Sequence, residues 1–196
     1  MRLRVHFAGV GGQGTQTASR ILGEAALGRG LGVLVAALHG MAQRGGAVIN
    51  QVLIGDVRSP LIEPGEADVL VGFEPMETAR STPFVGPSTI VISSTSRIVP
   101  YVLTAAGGSY PSIDDLLGPV ERICARMHRI DAASLAAGAG NALAIGPVML
   151  GALGGLGALP FEARHLRETL AGLSTGSRRD VDLKAFDLGL RSTTLS

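Results

Sequence analysis

The stretch RVHFAGVGGQG, Arg4 to Gly14, places an apolar run directly before a loop in which four of six residues are glycine. Thr15 to Leu27 follows, with Ala18, Ile21, Leu22 and Ala25 at helical spacing. A strand, a tight glycine loop and a helix open an α/β layer, and the rest of the chain is interpreted outward from this unit.

Gly28, Gly30 and Gly32 end the helix, and Val33 to Leu38 (VLVAAL) is a continuous apolar run. Such a run predicts a parallel strand covered on both faces. A polar loop, HGMAQRGG from His39 to Gly46, leads into Ala47 to Ile54, a strand pattern with polar groups on both faces, as expected near a site or an edge. Asp68 to Phe73 and Thr89 to Ser93 are two further buried-type strands, with room for a short helix within Glu74 to Phe84. Asp114 to Met127 is expected to be helical, with Cys124 on its apolar stripe, and Arg129 to Ala132 to be a brief strand. Helices are then predicted from Gly140 to Leu153, Phe161 to Leu173 and Arg178 to Leu190. The alternation gives an α/β, Rossmann-like layered fold with a mostly parallel sheet flanked by helices, in one domain over residues 1–196.

Composition narrows the function. The net charge is +1 with both signs interspersed, so no basic face calls for nucleic acid. The single cysteine, Cys124, cannot supply the about four thiolates of an iron–sulfur cluster, and no histidine-rich metal spacing stands out, so any redox metal is expected on a partner. No signal-length apolar segment precedes the glycine loop, which makes the cytoplasm the default compartment. Residues 132–161 lack charge for longer than the roughly 20 residues of a membrane span. Seven glycines and Pro147 interrupt them, however, and the expectation is a helix buried in the core or under another subunit, with no membrane.

Gly9, Gly11 and Gly14 satisfy G-x-G-x-x-G between a strand and a helix. There, bare backbone N–H groups and a helix N-terminus can face a phosphate. A dinucleotide site also needs an acid at the end of the second strand to hold ribose hydroxyls. This chain has Ala36-Ala37-Leu38-His39 and no acid before Asp56, and no G-K-[ST] ending marks a nucleotide triphosphate loop. A tight crossover would explain Gly9 and Gly14 but not Gly12 or Gln13.

The second loop is expected on the same sheet edge, where open α/β sheets bind ligands. Arg44, between Gln43 and Gly45, would reach an anionic group, and His39 and Gln43 would hydrogen-bond one. Asn141 is expected to cap the helix it opens, or to touch an interface or ligand. No nucleophilic triad or paired carboxylate emerges, so no catalytic residue is assigned.

GVGGQG, HGMAQRGGAV, Asn141 before an apolar helix with MLGAL, LPFE at 159–162 and KAFDLG at 184–189 together resemble the gamma-type domain of the 2-oxoacid:ferredoxin oxidoreductases. The resemblance covers nearly the whole chain and identifies residues 1–196 as one pyruvate/ketoisovalerate oxidoreductase gamma-type catalytic domain. It implies a subunit, inactive alone, of an enzyme that decarboxylates an indolepyruvate-type or other arylpyruvate 2-oxoacid oxidatively to an acyl-coenzyme A and passes electrons to ferredoxin. Thiamine diphosphate and iron–sulfur clusters are then held by a large partner subunit, and this chain contacts coenzyme A. The matched positions are Gly9, Gly11, Gly12, Gln13, Gly14, His39, Gly40, Gln43, Arg44, Gly45, Gly46 and Asn141. The family pattern has an asparagine shortly before AF, where this chain has Asp182. The alternatives are a free-standing nucleotide- or coenzyme A-binding protein and an NAD-dependent dehydrogenase.

Overall fold

A computed structural model describes residues 2–39, 45–99 and 107–194. The elements are β1 (Arg2–Val10), α1 (Thr15–Leu27), β2 (Val33–His39), β3 (Ala47–Gly55), β4 (Val69–Gly72), α2 (Pro75–Arg80) with a 3₁₀ turn at Thr82–Phe84, and β5 (Ile90–Ser94). They continue with α3 (Ile113–Glu121), β6 (Arg126–Ile130), α4 (Ala132–Ala139), α5 (Ile145–Gly155), α6 (Ala163–Leu173) and α7 (Arg178–Thr194). No described helix is long and apolar enough to cross a membrane.

The six strands form one sheet in the order β2-β3-β1-β4-β5-β6. The pairs β1–β4, β4–β5 and β5–β6 are parallel, while β3 runs against both β1 and β2. The expected α/β layer with a mostly parallel sheet is therefore present, with β3 as the reversed strand.

Three local expectations change. VLVAAL is neither a parallel strand nor one covered on both faces: β2 is an edge strand that pairs antiparallel with β3, with Val35 48% and Leu38 45% exposed. The loop after it returns the chain as a hairpin, so β3 takes the central place beside β1, with Val10 opposite Ala47. An apolar run reports hydrophobicity, not how many strands flank it. Secondly, α3 ends at Glu121, so the partly buried Cys124 lies beyond it, against the cluster of Ala8, Leu70, Val91 and Val120. β6 then starts at Arg126.

Thirdly, the uncharged segment forms two helices. The alanine-rich α4 is started by Asp131, whose carboxylate accepts from the Ser134 N–H at 3.0 Å. α5 begins late, at Ile145 behind Ala144, which puts Pro147 in the first turn, where a missing N–H is tolerated. Val148, Met149, Leu150, Ala152 and Leu153 of α5 are buried in the chain's own main core, together with α1, α4, α6 and α7 on one sheet face. α2 and α3 cover the other face, on which Thr78 packs against Gly72 and Val120 joins the second cluster.

The candidate site at the carboxyl edge of the sheet

β1 leads to α1 on one face and β4 leads to α2 on the other. The crevice between their carboxyl ends is thus the switch point at which open α/β sheets take ligands. Gln13 spans this crevice. Its Oε1 accepts from the Val10 N–H at 2.8 Å and its Nε2 donates to the Phe73 carbonyl at 2.9 Å, with the residue 7% exposed. Gly9 lies beneath, where a Cβ would collide with Thr15, Phe73 and the Gln13 amide.

On the β4 side, Glu74 caps α2, accepting from the N–H groups of Met76 at 2.7 Å and Glu77 at 3.1 Å. Its other oxygen accepts from the Tyr110 hydroxyl and from the Ile98 N–H at 3.3 Å. Burial and the neighbouring carboxylate push the Tyr110 phenol above its ordinary range, so it stays protonated as a donor. Both polar side chains at the switch point have their hydrogen bonds within the protein.

The two glycine loops meet as the sequence predicts. The Gly11 N–H donates to the Gly46 carbonyl at 2.9 Å and the Gly45 N–H to the Gly11 carbonyl at 3.4 Å. Gly12 (φ 105°) and Gly14 (φ 86°) take left-handed conformations that L side chains rarely adopt, and Gly12 faces open space. His39 ends β2, its backbone opposite Val48. Gly40, Gln43 and Arg44 lie outside the described residues.

Beyond Gln13, on the α1 face, a cleft of about 440 Å³ runs from the glycine loop to the turn between α6 and α7. Gly12, Gln13, Gly14 and Asn141 all line it, so the first loop and the asparagine are brought together although they are far apart in sequence. Asn141 does not cap α5. It sits in the turn between α4 and α5, and its Oδ1 accepts from the Leu143 N–H at 3.0 Å.

Asp182 also lines the cleft, 3% exposed. Its Oδ2 accepts from the Ser174 hydroxyl at 2.7 Å and lies 3.3 Å from Arg178 Nε. Its Oδ1 is buried with no partner among the described residues. The sequence marks Asp182 only as a departure from a pattern. Its role in the cleft follows from α7 packing beside α6, which local spacing does not reveal.

The family of pyruvate ferredoxin/flavodoxin oxidoreductases matches residues 4–192. Indolepyruvate oxidoreductase subunit IorB of Archaeoglobus fulgidus is 41% identical over 189 residues, covering 96% of this chain and 94% of the relative. The protein of the same name from Methanothermobacter thermautotrophicus is 36% identical over 186 residues, 95% of each chain. Among solved structures, the gamma subunit of a keto/oxoacid ferredoxin oxidoreductase from Geobacter sulfurreducens aligns with a TM-score of 0.70 at 19% identity over 99% of both chains. The 2-oxoglutarate:ferredoxin oxidoreductase of Magnetococcus marinus, solved with 2-oxoglutarate, coenzyme A and succinyl-CoA, aligns with a TM-score of 0.76 at 19% identity. That alignment covers 100% of this chain and 31% of the longer one.

Proposed function

Because the chain belongs to the pyruvate ferredoxin/flavodoxin oxidoreductase family, we propose that it is the small subunit of an indolepyruvate-type 2-oxoacid:ferredoxin oxidoreductase. In the reaction the bond between the carboxyl and carbonyl carbons breaks and carbon dioxide leaves. The coenzyme A thiol gives up its proton and forms a thioester with the acyl carbon, and two electrons pass one at a time to two oxidised ferredoxins. Thiamine diphosphate, on the partner, would supply the electron sink that decarboxylation needs. One thiol cannot hold a cluster, so the electron path also runs through the partner. We place the complex in the cytoplasm.

In this reading the chain supplies a surface and no reacting group. Gly11, Gly12, Gly45 and Gly46 form a rim without side chains, so coenzyme A phosphates or a partner's backbone can come close to the main chain. Gln13 holds the rim rigid from below. Arg44, in the sequence of the second loop, would supply a cation to an anionic group. The observation that carries the proposal is the direct pairing of the two glycine loops, Gly11 to Gly46, at the carboxyl edge of the sheet.

The test is co-expression with a large thiamine-binding, cluster-bearing chain, followed by an assay of indolepyruvate- and coenzyme A-dependent ferredoxin reduction. Co-purification and activity only with both chains present is the expected result. Full turnover from either chain alone overturns the proposal.

A further inference from the structure

We propose that the β2 edge of the sheet pairs with the β2 edge of a second copy of this chain, antiparallel about a two-fold axis at Ala36, joining the two sheets into one. The hydrogen-bonding pattern of β2 leaves it open to such a partner. The Gly11 N–H donates to the Gly46 carbonyl across β1 and β3, and the Gly55 N–H donates to the Gly32 carbonyl across β3 and β2. Bonding alternates along an antiparallel pair, so in this register the backbone groups of Leu34, Ala36 and Leu38 point to β3. Those of Val33, Val35, Ala37 and His39 then point outward, and no described residue bonds to them. An axis at Ala36 sets Val35 opposite Ala37 and Val33 opposite His39, so every outward N–H and C=O of one strand meets its complement on the other.

The side chains match in the same register. Val33 and Val35 lie toward α1, against Gly23, while Leu34 packs beside Leu53 and Ile62 on the other face. Across the axis Leu38 meets Leu34 and Val35 meets Ala37, so each of these contacts is apolar. The margins are apolar as well. Leu27, one turn beyond Gly23, is 58% exposed, and Leu61, next to the Ile62 that Gln51 holds, is 49% exposed. With Val35 and Leu38 these are four of the nine large apolar side chains left exposed among the described residues, and their clustering around one strand marks a protein contact.

Charge selects a second copy as the occupant. In a two-fold contact each residue near the axis meets its own kind, so a charged strand repels itself. β2 carries no charged residue from Val33 to Leu38. The opposite edge, β6, exposes Arg126 and Arg129, a usual guard against edge pairing. One edge of the sheet is thus protected and the other is self-complementary. The inference does not rest on the oxidoreductase proposal, since it concerns the association of this chain with itself.

Sedimentation of the full chain across a concentration series tests it, and a reversible dimer is expected. Ala37→Pro removes an outward N–H while sparing the ladder to β3, a position at which an edge strand tolerates proline. By symmetry two bonds between the copies are lost, so the dimer should weaken by about tenfold or more. Val35→Lys, half exposed in the single chain, sets two like charges diagonally across the axis and should weaken the dimer similarly, which keeps the test decisive if Ala37→Pro unfolds. Ala36→Cys in a Cys124→Ser chain reads the register. Its two Cα atoms face each other in a non-hydrogen-bonded pair about 4.5 Å apart, within disulfide reach, so mild oxidation should cross-link the copies. A chain that stays monomeric at about 0.1 mM, a dimer that either folded variant leaves intact, or a dimer that Ala36→Cys does not cross-link would overturn the proposal. A monomeric chain whose edge variants lose the large subunit would also overturn it, and would assign the edge to that subunit.

Discussion

Gln13 illustrates how one side chain sets the shape of a loop. Its amide supplies the acceptor for Val10 and the donor for Phe73, two backbone groups that the gap between β1 and β4 would otherwise leave unpaired. Gln13→Ala is expected to cost about 2–3 kcal/mol, because both partners stay buried without a bond. Urea unfolding checks this, and a loss below about 0.5 kcal/mol would mean that water replaces the amide. On the other sheet face His6 is fully buried, stacked on Phe84 and held by two neighbours. The Gln51 amide donates to Nδ1 at 3.2 Å because its oxygen is committed to the Ile62 N–H at 2.8 Å, so the ring proton sits on Nε2, 3.2 Å from the Ser81 hydroxyl. Burial lowers the imidazole to about 4 from its ordinary 6.5. The unfolded chain then takes up a proton below about pH 6.5 that the folded chain refuses until about pH 4. Stability is therefore unaffected by His6 above pH 6.5 and falls by about 3 kcal/mol in total as pH drops to 4. Unfolding curves across that window should show the fall, and His6→Gln should flatten it.

Among the elements, the seam between α5 and α7 depends on small residues. A Cβ on Gly151 would run into the Phe186 carbonyl, and one on Gly189 into the Val148 carbonyl. Gly189→Ala is expected to cost about 3 kcal/mol or to prevent folding, since two helix backbones must separate. Gly172, exposed within α6 with no neighbour near a Cβ, should respond oppositely, Gly172→Ala stabilising by about 0.5–1 kcal/mol through helix propensity. Thermal melts of the pair test the contrast directly, and equal shifts would refute the close approach. The sequence shows that residues 132–161 are uncharged and glycine-rich, and this points to burial. It does not show that α7 is what buries them, because that contact is long-range. The helix α4 was equally hidden, since an alanine- and glycine-rich run gives no hydrophobic period from which to place it. Asn141 and the start of α5 at Ile145 lie four residues apart.

At the scale of the whole molecule, the glycine-loop half of the site is legible because strand, loop and helix are contiguous. The acid in the cleft is not, since Asp182 joins the lining of that cleft only when the last helix folds back. Strand order was hidden in the same way, for pairing is decided between segments and VLVAAL would suit the centre of a sheet as well as its edge. Its edge position has a consequence. Among the described residues β2 carries an unpaired line of backbone donors and acceptors beside the exposed Val35 and Leu38, with no lysine or proline in the strand to blunt it. Such an edge is a template for pairing with another chain. Leu38→Lys places a charge on that edge without entering the core, so its effect on monomer stability should stay within about 0.5 kcal/mol. Self-association of the isolated chain should fall, seen as a later onset of light scattering on heating at fixed concentration. If scattering begins at the same temperature in both proteins while their melts coincide, association proceeds through another surface and the β2 edge is inert.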